Sequence, residues 1–268
     1  MVMLCKNGGL KDIEKHNLDW IGQPKIDGCR MIAVCFCDSV RLFGRSGNEY
    51  TSKFPEIVKR LSGLNGIFDG EIFAGDFYKT ESRVHTENKL KIKLLVEKYP
   101  SVFYIFDVLA LNGEDLRNKP YVERLKKLIE IGKLNLFSTR NLKELWGIAK
   151  ENGLEGIVIK NPQGKYENKR SVNLLKIKEI KSKDLKVTSY VVNSAGIRVE
   201  DDDEIAVQVS GKNSKLVKEK IDTFGFCLIE VNYMTLTENN KLRQPTFKCL
   251  KSASQIDLNK FMEKENGM

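Results

Sequence analysis

The order of strand-like and helix-like segments is the feature that most limits how this sequence can fold. Up to about residue 178, short runs rich in β-branched and aromatic residues alternate with segments whose apolar residues recur every three or four positions. Beyond the hydrophilic, lysine-rich stretch 178–186, most segments are strand-like. We therefore predict an α+β fold in two domains, residues 1–181 and residues 182–268.

The first domain is predicted to open with a hairpin over residues 30–45, whose turn lies at residues 37–39. A helix follows, with Ser52 as its cap and Pro55 in its first turn. The remaining predicted elements are a strand over 66–73, a helix over 88–98, a strand over 101–111, a helix from Pro120, a helix that ends near Gly153, and strands over 155–160 and 173–180.

The second domain is predicted to be mostly β. Its predicted elements are strands near 186–193, 204–210, 227–237 and 245–251, with a short helix around 214–225. Four or five strands with one helix in fewer than 90 residues fit a small barrel such as the OB fold. The acidic run 200–204 is predicted to be a solvated loop, and we expect it to point away from any phosphate backbone that it would repel.

Charge and cysteine content narrow the class of protein. The chain carries 45 lysines and arginines against 36 acidic residues, and this net charge of +9 favours a polyanionic partner such as nucleic acid. It has no run of about 18 apolar residues and no secretory signal at its start. Six scattered cysteines with only two histidines indicate free thiols in a reducing compartment, so we expect a cytoplasmic protein, or a nuclear one in a eukaryotic host.

The stretch "QPKIDGCR", residues 23–30, contains a candidate nucleophile. Lys25 can attack phosphorus only as the neutral amine, which neighbouring positive charge favours, and Arg30 is one source of such charge. Gly28 would allow the backbone to approach a ligand closely, and Asp27 offers a carboxylate that can orient a nearby group. By itself this short motif does not distinguish a catalytic lysine from one more surface lysine.

Further motifs follow in a fixed order along the chain. They are "FGRSG" at 43–47, "FDGEI" at 68–72, "FYIFDVL" at 103–109, "LEGIVIK" at 154–160, "LLKIK" at 174–178 and "LRQPTFKCLK" at 242–251. In this order and with these spacings, the set resembles the covalent nucleotidyltransferases, and among them the ATP-dependent DNA ligases. The resemblance covers residues 20–252. It implies an adenylation domain of antiparallel sheets with helices, followed by an OB-fold domain.

The resemblance also implies a role for each motif. Lys25 would attack the α-phosphate of ATP and carry AMP. The ATP- or AMP-binding residues would be Arg30, Glu71, Phe106, Lys176, Lys178 and Arg243, of which Phe106 would stack on adenine. The strand that holds Phe106 must also pack a core, so a structural role for this side chain stays open. The ammonium groups of Lys176 and Lys178, two residues apart on one strand, would face the triphosphate together.

Three residues are expected at the metal and the DNA. Glu155 matches the acidic residue that binds a divalent cation, Mg²⁺ or Mn²⁺. Arg45 corresponds to an arginine at the 5′-phosphate of a nick, where a guanidinium can make two parallel contacts. Lys251, expected at a phosphate, stands where related ligases often have arginine, and it lacks that planar fork.

Several alternatives compete with a DNA ligase. An NAD-dependent ligase would need a segment before the lysine and further domains after the barrel. An RNA ligase or an mRNA-capping enzyme shares the lysine motif, although capping enzymes tend to have aspartate where this chain has Glu155. A basic protein that binds nucleic acid without chemistry would need neither Lys25 nor Glu155. We predict a monomeric ligase of nicked duplex DNA whose OB domain closes over ATP and then clamps DNA, with a hinge at 178–186.

Overall fold

A computed structural model describes residues 2–132, 136–201, 205–234, 236 and 241–251. The chain divides into two compact units, Met1–Lys178 and Glu179–Met268. This division lies three residues before the predicted domain boundary at residue 181. In both units, helices and strands are mixed, as the α+β prediction requires.

The first unit contains two sheets. Its strands are β1 (Leu4–Asn7), β2 (Ile21–Pro24), β3 (Cys29–Phe36), β4 (Ser39–Gly44), β5 (Gly66–Phe73), β6 (Val102–Leu111), β7 (Glu114–Asp115), β8 (Gly156–Lys160) and β9 (Arg170–Lys178). One sheet has the antiparallel order β4-β3-β5-β6-β7. The other has the order β1-β9-β8-β2, and here β1 pairs with β9 in parallel. The expectation of purely antiparallel sheets is therefore wrong for β1.

Helices cover both sheets of the first unit. They are α1 (Leu10–His16), α2 (Pro55–Leu61), α3 (Phe77–His85), α4 (Lys89–Lys98), α5 (Tyr121–Glu130) and α6 (Leu142–Glu151). Fully buried side chains such as Leu42, Phe54 and Phe68 form a core between the five-stranded sheet and α2. A second core, around Leu142 and Ile157, lies between the four-stranded sheet and helices α1 and α6. Each such side chain stabilises the fold by about 1.5–3 kcal/mol when it is fully buried.

Most elements predicted for this unit are present, but the start of α2 differs from the prediction. Pro55 is the first helical residue, as predicted. Ser52 is not the cap, because it lies in a separate 3₁₀ turn and the residue that precedes the helix is the buried Phe54. The sequence patterns also missed β1, α1, β2, α3 and β7, each of which is nine residues long or shorter.

In the second unit, the described residues form a five-stranded antiparallel sheet and a helix. Its elements are β10 (Lys181–Asn193), β11 (Gly196–Asp201), β12 (Ala206–Val209), α7 (Lys212–Phe224), β13 (Cys227–Tyr233) and β14 (Thr246–Leu250). The strand order is β12-β11-β10-β13-β14, and the end strands β12 and β14 also contact each other. Helix α7 packs on the sheet through Val217 and Ile221.

Two sequence predictions for this region are wrong. The stretch 178–186, expected from its hydrophilic composition to be a linker between the domains, is mostly strand, because β9 runs to Lys178 and β10 begins at Lys181. The first four residues of β10 are exposed, so the alternation of buried and exposed side chains that predicts a strand begins only at the buried Leu185. The acidic run 200–204 is not wholly a loop either, since its first two residues end β11 and residues 202–204 lie outside the described part.

All six cysteines are free, as predicted. Among the described residues, no helix is long and apolar enough to cross a membrane.

Candidate active site

The first unit contains a cavity of about 220 Å³ at which both of its sheets contribute residues. Side chains from the motifs quoted above line this cavity. They include Lys25, Arg30, Arg45, Glu71, Phe106, Lys160 and Lys176. Fold and motif order therefore bring residues from distant parts of the sequence to one pocket.

Lys25 follows directly on β2 and is held at both ends. Its backbone N–H donates to the carbonyl of Gly156 at 2.9 Å. Its Nζ lies 2.6 Å from one carboxylate oxygen of Glu155, and the Nζ of Lys178 lies 2.6 Å from the other. Because the Glu155 side chain is only 5% exposed, its charge is balanced by these two ammonium groups rather than by water.

Two motif glycines are required by close backbone contacts. A Cβ on Gly28 would lie 2.1 Å from the carbonyl oxygen of Ile72. Gly156 has a φ of +142°, and a Cβ there would lie 2.0 Å from the carbonyl oxygen of Ile177. Glycine is therefore needed at both positions so that the strands beside Lys25 and Glu155 can approach each other.

Arg30 belongs to a buried network on β3 and β5. Its guanidinium makes two hydrogen bonds to the Asp69 carboxylate, at 2.9 and 2.5 Å, and donates to the carbonyl of Met3 at 2.6 Å. The hydroxyl of Tyr166 donates to the same carboxylate at 2.6 Å. Burial disfavours the guanidinium charge, but the Asp69 carboxylate offsets this and raises the pKa of Arg30.

Phe106 lies at an irregularity of the β5–β6 pairing. Asp69 pairs with Asp107 and Gly70 pairs with Ile105, so the ladder skips Phe106. Its side chain lines the cavity, whereas Phe103 and Ile105 belong to the core. Phe106 therefore lines the cavity and does not belong to the core, which was the alternative role left open for it.

Glu71 and Lys176 are the other predicted nucleotide-binding residues at the cavity. Burial raises the pKa of Glu71 to about 7, and the positive charges of Lys25 and Arg30 act in the opposite direction. Burial and the charge of Lys178 lower the pKa of Lys176. Lys176 lines the cavity, whereas Lys178 on the same strand contacts Glu155.

The predicted DNA-binding residues Arg45 and Lys251, and the predicted ATP-binding Arg243, lie in different places. Arg45 lies just after β4, is exposed and lines the cavity. Arg243 and Lys251 belong to the second unit. There the Nζ of Lys251 lies 3.4 Å from an oxygen of Asp184 and 3.6 Å from an oxygen of Glu230.

Sequence reasoning assigned no role to several polar residues of the cavity. Three of them lie inside the ligase-like motifs, which indicated a functional position: Asp69, Asp107 and Lys160. Tyr166 and Arg124 stand outside those motifs. Arg124 pairs with Asp107 through two hydrogen bonds, at 2.7 and 2.9 Å, and only the three-dimensional structure reveals this pair.

The raised pKa of Glu71 predicts a pH-dependent stability difference. Because folding raises the pKa of Glu71 from 4.5 to about 7, ionisation of this carboxyl lowers the stability of the folded protein. This loss of stability is absent below pH 4.5, grows between pH 4.5 and about pH 7, and is constant at higher pH. Thermal melting without nucleotide should therefore show that Glu71→Gln gains stability relative to wild type across this range. We expect a gain on the order of 10 °C at pH 7 and above. The exposed Glu97→Gln is the matched control, and a difference that does not vary with pH would refute the assignment.

A family profile described as "ATP dependent DNA ligase domain" matches residues 3–178. A "Probable DNA ligase" of Dictyoglomus turgidum is 35% identical over 177 residues, which cover 58% of this chain and 30% of that protein. The "SPbeta prophage-derived DNA ligase-like protein LigB" of Bacillus subtilis is 29% identical over 255 residues, which cover 85% of this chain and 92% of that protein.

Solved structures show the same fold. A structure described as a mycobacterial DNA ligase D complexed with ATP and MES has a TM-score of 0.58 at 18% identity, with 94% of this chain and 95% of that chain covered. A structure of a Lig E DNA ligase has a TM-score of 0.68 at 18% identity, with 93% and 98% covered. The two structures support the mixed α+β architecture of the chain.

Proposed function

The chain belongs to the ATP-dependent DNA ligase family, and from this membership we propose that it seals nicks in duplex DNA through a covalent lysyl-AMP intermediate. The observation that carries the proposal is the position of Lys25. It lies at a cavity lined by cationic and aromatic side chains, and its Nζ is 2.6 Å from the buried carboxylate of Glu155.

In the proposed first step, the Lys25 amine attacks the α-phosphate of ATP. A phosphorus–nitrogen bond forms, the bond to the pyrophosphate oxygen breaks, and pyrophosphate leaves. The amine must lose a proton to react, and the nearest carboxylate oxygen is that of Glu155. Lys176, which lines the same cavity, would offset the negative charge of the phosphates.

In the later steps, AMP passes to the 5′-phosphate of the nick, and the 3′-hydroxyl then attacks this phosphate and releases AMP. Arg45 suits the binding of the 5′-phosphate, because it is exposed at the cavity and carries a planar guanidinium. Lys251 would bind DNA phosphate and Arg243 would act earlier, on ATP. Both belong to the second unit, which we infer to be an OB-fold barrel. Its strand order and the contact between β12 and β14 support this inference.

A divalent cation, Mg²⁺ or Mn²⁺, fits the proposed chemistry with few protein ligands. Within the described residues, no group of three histidine, cysteine or acidic side chains could hold a metal alone. Mg²⁺ usually takes one or two carboxylates and completes its shell with water and substrate phosphates. Glu155 together with ATP would hold the cation once one of its oxygens is released from Lys25 or Lys178. When bound, the cation would neutralise phosphate charge during transfer.

Gel assays with end-labelled nicked substrates test the proposed function. We expect joining of a nicked DNA duplex with ATP and Mg²⁺. A nick in an RNA strand, run in parallel, tests the strongest alternative, and sealing of RNA alone would require withdrawal of the DNA assignment. The monomeric state, the cytoplasmic location and the hinged closure of the second unit stay predictions.

A further inference from the structure

Lys160 is a buried lysine that the proposed chemistry does not use. It ends β8, lines the candidate ATP cavity and is only 6% exposed. Its Nζ donates to the backbone carbonyl of Phe106 at 2.8 Å. The same nitrogen lies 4.7 Å from the centre of the Phe106 ring and 4.4 Å from that of Tyr121.

The carboxylates around Lys160 are committed to other partners. Asp69 pairs with Arg30, and Asp107 pairs with Arg124. Besides these two carboxylates, which are shared with arginines, a carbonyl and two aromatic faces stabilise the charge of Lys160 at a position where burial is costly. Burial lowers the pKa of Lys160 to about 8, although Asp107 and Asp69 oppose this change. Because burial of its charge lowers stability, Lys160 is a candidate for a functional role at the ATP cavity.

The contacts of Lys160 converge on the irregularity of the β5–β6 ladder. Because the pairing skips Phe106, the carbonyl of this residue needs partners outside the ladder. Lys160 supplies one, and the buried hydroxyl of Tyr121 supplies the other at 3.1 Å. Two side chains therefore fix the backbone from which the Phe106 ring extends into the cavity.

We propose that Lys160 is a positioning residue for the nucleotide base, which it serves by fixing Phe106 together with Tyr121. This inference rests on the proposed function, since it requires that the cavity binds ATP with Phe106 against adenine. Lys160 then acts on base affinity and leaves the attack of Lys25 on the α-phosphate largely unchanged. A direct contact of Lys160 with phosphate is the competing explanation. It predicts that loss of Lys160 weakens the binding of ATP but not that of adenosine.

The experiment compares adenosine with ATP. Dissociation constants for both are measured by calorimetry for wild type, for Lys160→Met, which removes the charge at similar length, and for the exposed control Lys150→Met on α6. Adenosine has no phosphate, so it isolates the base and the sugar. The rate of Lys25 adenylylation and its KM for ATP are measured on the same proteins, with thermal melting as a test of folding.

For Lys160→Met we expect adenosine and ATP to bind about 10-fold more weakly, by the same factor. We expect KM for ATP to rise similarly and the adenylylation rate at saturating ATP to stay within about 2-fold of wild type. Tyr121→Phe removes one hydrogen bond to the same carbonyl and should weaken both ligands by about 3-fold. Lys160→Arg, which keeps a charged donor, should recover part of the affinity.

Weaker ATP binding with unchanged adenosine binding would overturn the proposal in favour of a phosphate contact. Unchanged affinity for both ligands would leave Lys160 only a structural role, and so would overturn it too. If Lys160→Met does not fold, the dissociation constants of adenosine and ATP are compared for Tyr121→Phe, and the same outcomes apply. Wild-type protein that neither binds ATP nor becomes adenylylated would instead refute the proposed function.

Discussion

Replacement of Lys25 by alanine is expected to lower nick sealing by at least about 10⁴-fold. The proposed reaction passes through a bond from the Lys25 nitrogen to phosphorus, and alanine offers no atom that can form it. Two neighbouring lysines are not placed to substitute, since Lys178 is held on the other oxygen of Glu155 and Lys160 is held on the carbonyl of Phe106. The measurement is the rate of joining of a labelled nicked duplex.

Lys25→Arg is the matched variant, because it keeps the positive charge beside Glu155 while its guanidinium does not deprotonate. It should fold like the wild type and be as inactive as the alanine variant. Both variants are also tested on nicked DNA that already carries AMP on its 5′-phosphate, where the later steps no longer need the nucleophile. A Lys25→Ala protein that seals ordinary nicks at more than about 1% of the wild-type rate would contradict the mechanism.

The second large effect is expected at Glu155. In Glu155→Gln, the ammonium groups of Lys25 and Lys178 lose the carboxylate that now separates them, and the candidate metal ligand is lost with it. We expect the rate of Lys25 adenylylation to fall by about 10²- to 10³-fold. The loss of a buried counter-charge should also lower the melting temperature.

Glu151→Gln is the control for this substitution, since Glu151 is an exposed residue at the end of α6, four positions earlier. It should leave both adenylylation and melting temperature unchanged. An adenylylation rate in Glu155→Gln within about 3-fold of wild type would show that neither the proton of Lys25 nor the phosphate charge depends on this carboxylate.

Much of the candidate site was predictable because its residues lie in short motifs at strand ends. Lys25 and Glu155 are 130 positions apart, yet each has a glycine nearby in its motif, and those glycines allow the strands to meet. The sequence therefore indicated which residues would gather, although it did not indicate the pairings among them. The bridge from Glu155 to both Lys25 and Lys178 is visible only in three dimensions.

Other features could not be read from the sequence for identifiable physical reasons. The irregular pairing at Phe106 depends on the register between β5 and β6, and no residue type marks it. Lys160 resembles any other lysine of this basic chain until its burial is known. The start of β10 was mistaken for a linker, because four exposed residues in succession show no alternation.

The central claim is that Lys25 itself carries AMP. Wild-type protein is incubated with ATP labelled at the α-phosphate and with Mg²⁺, then denatured and digested, and the modified peptide is identified by mass spectrometry. The account predicts one AMP per chain, attached to the peptide that contains Lys25 and released by acid, as a phosphoramidate is. Label on any other residue, or no label that survives denaturation, would contradict it.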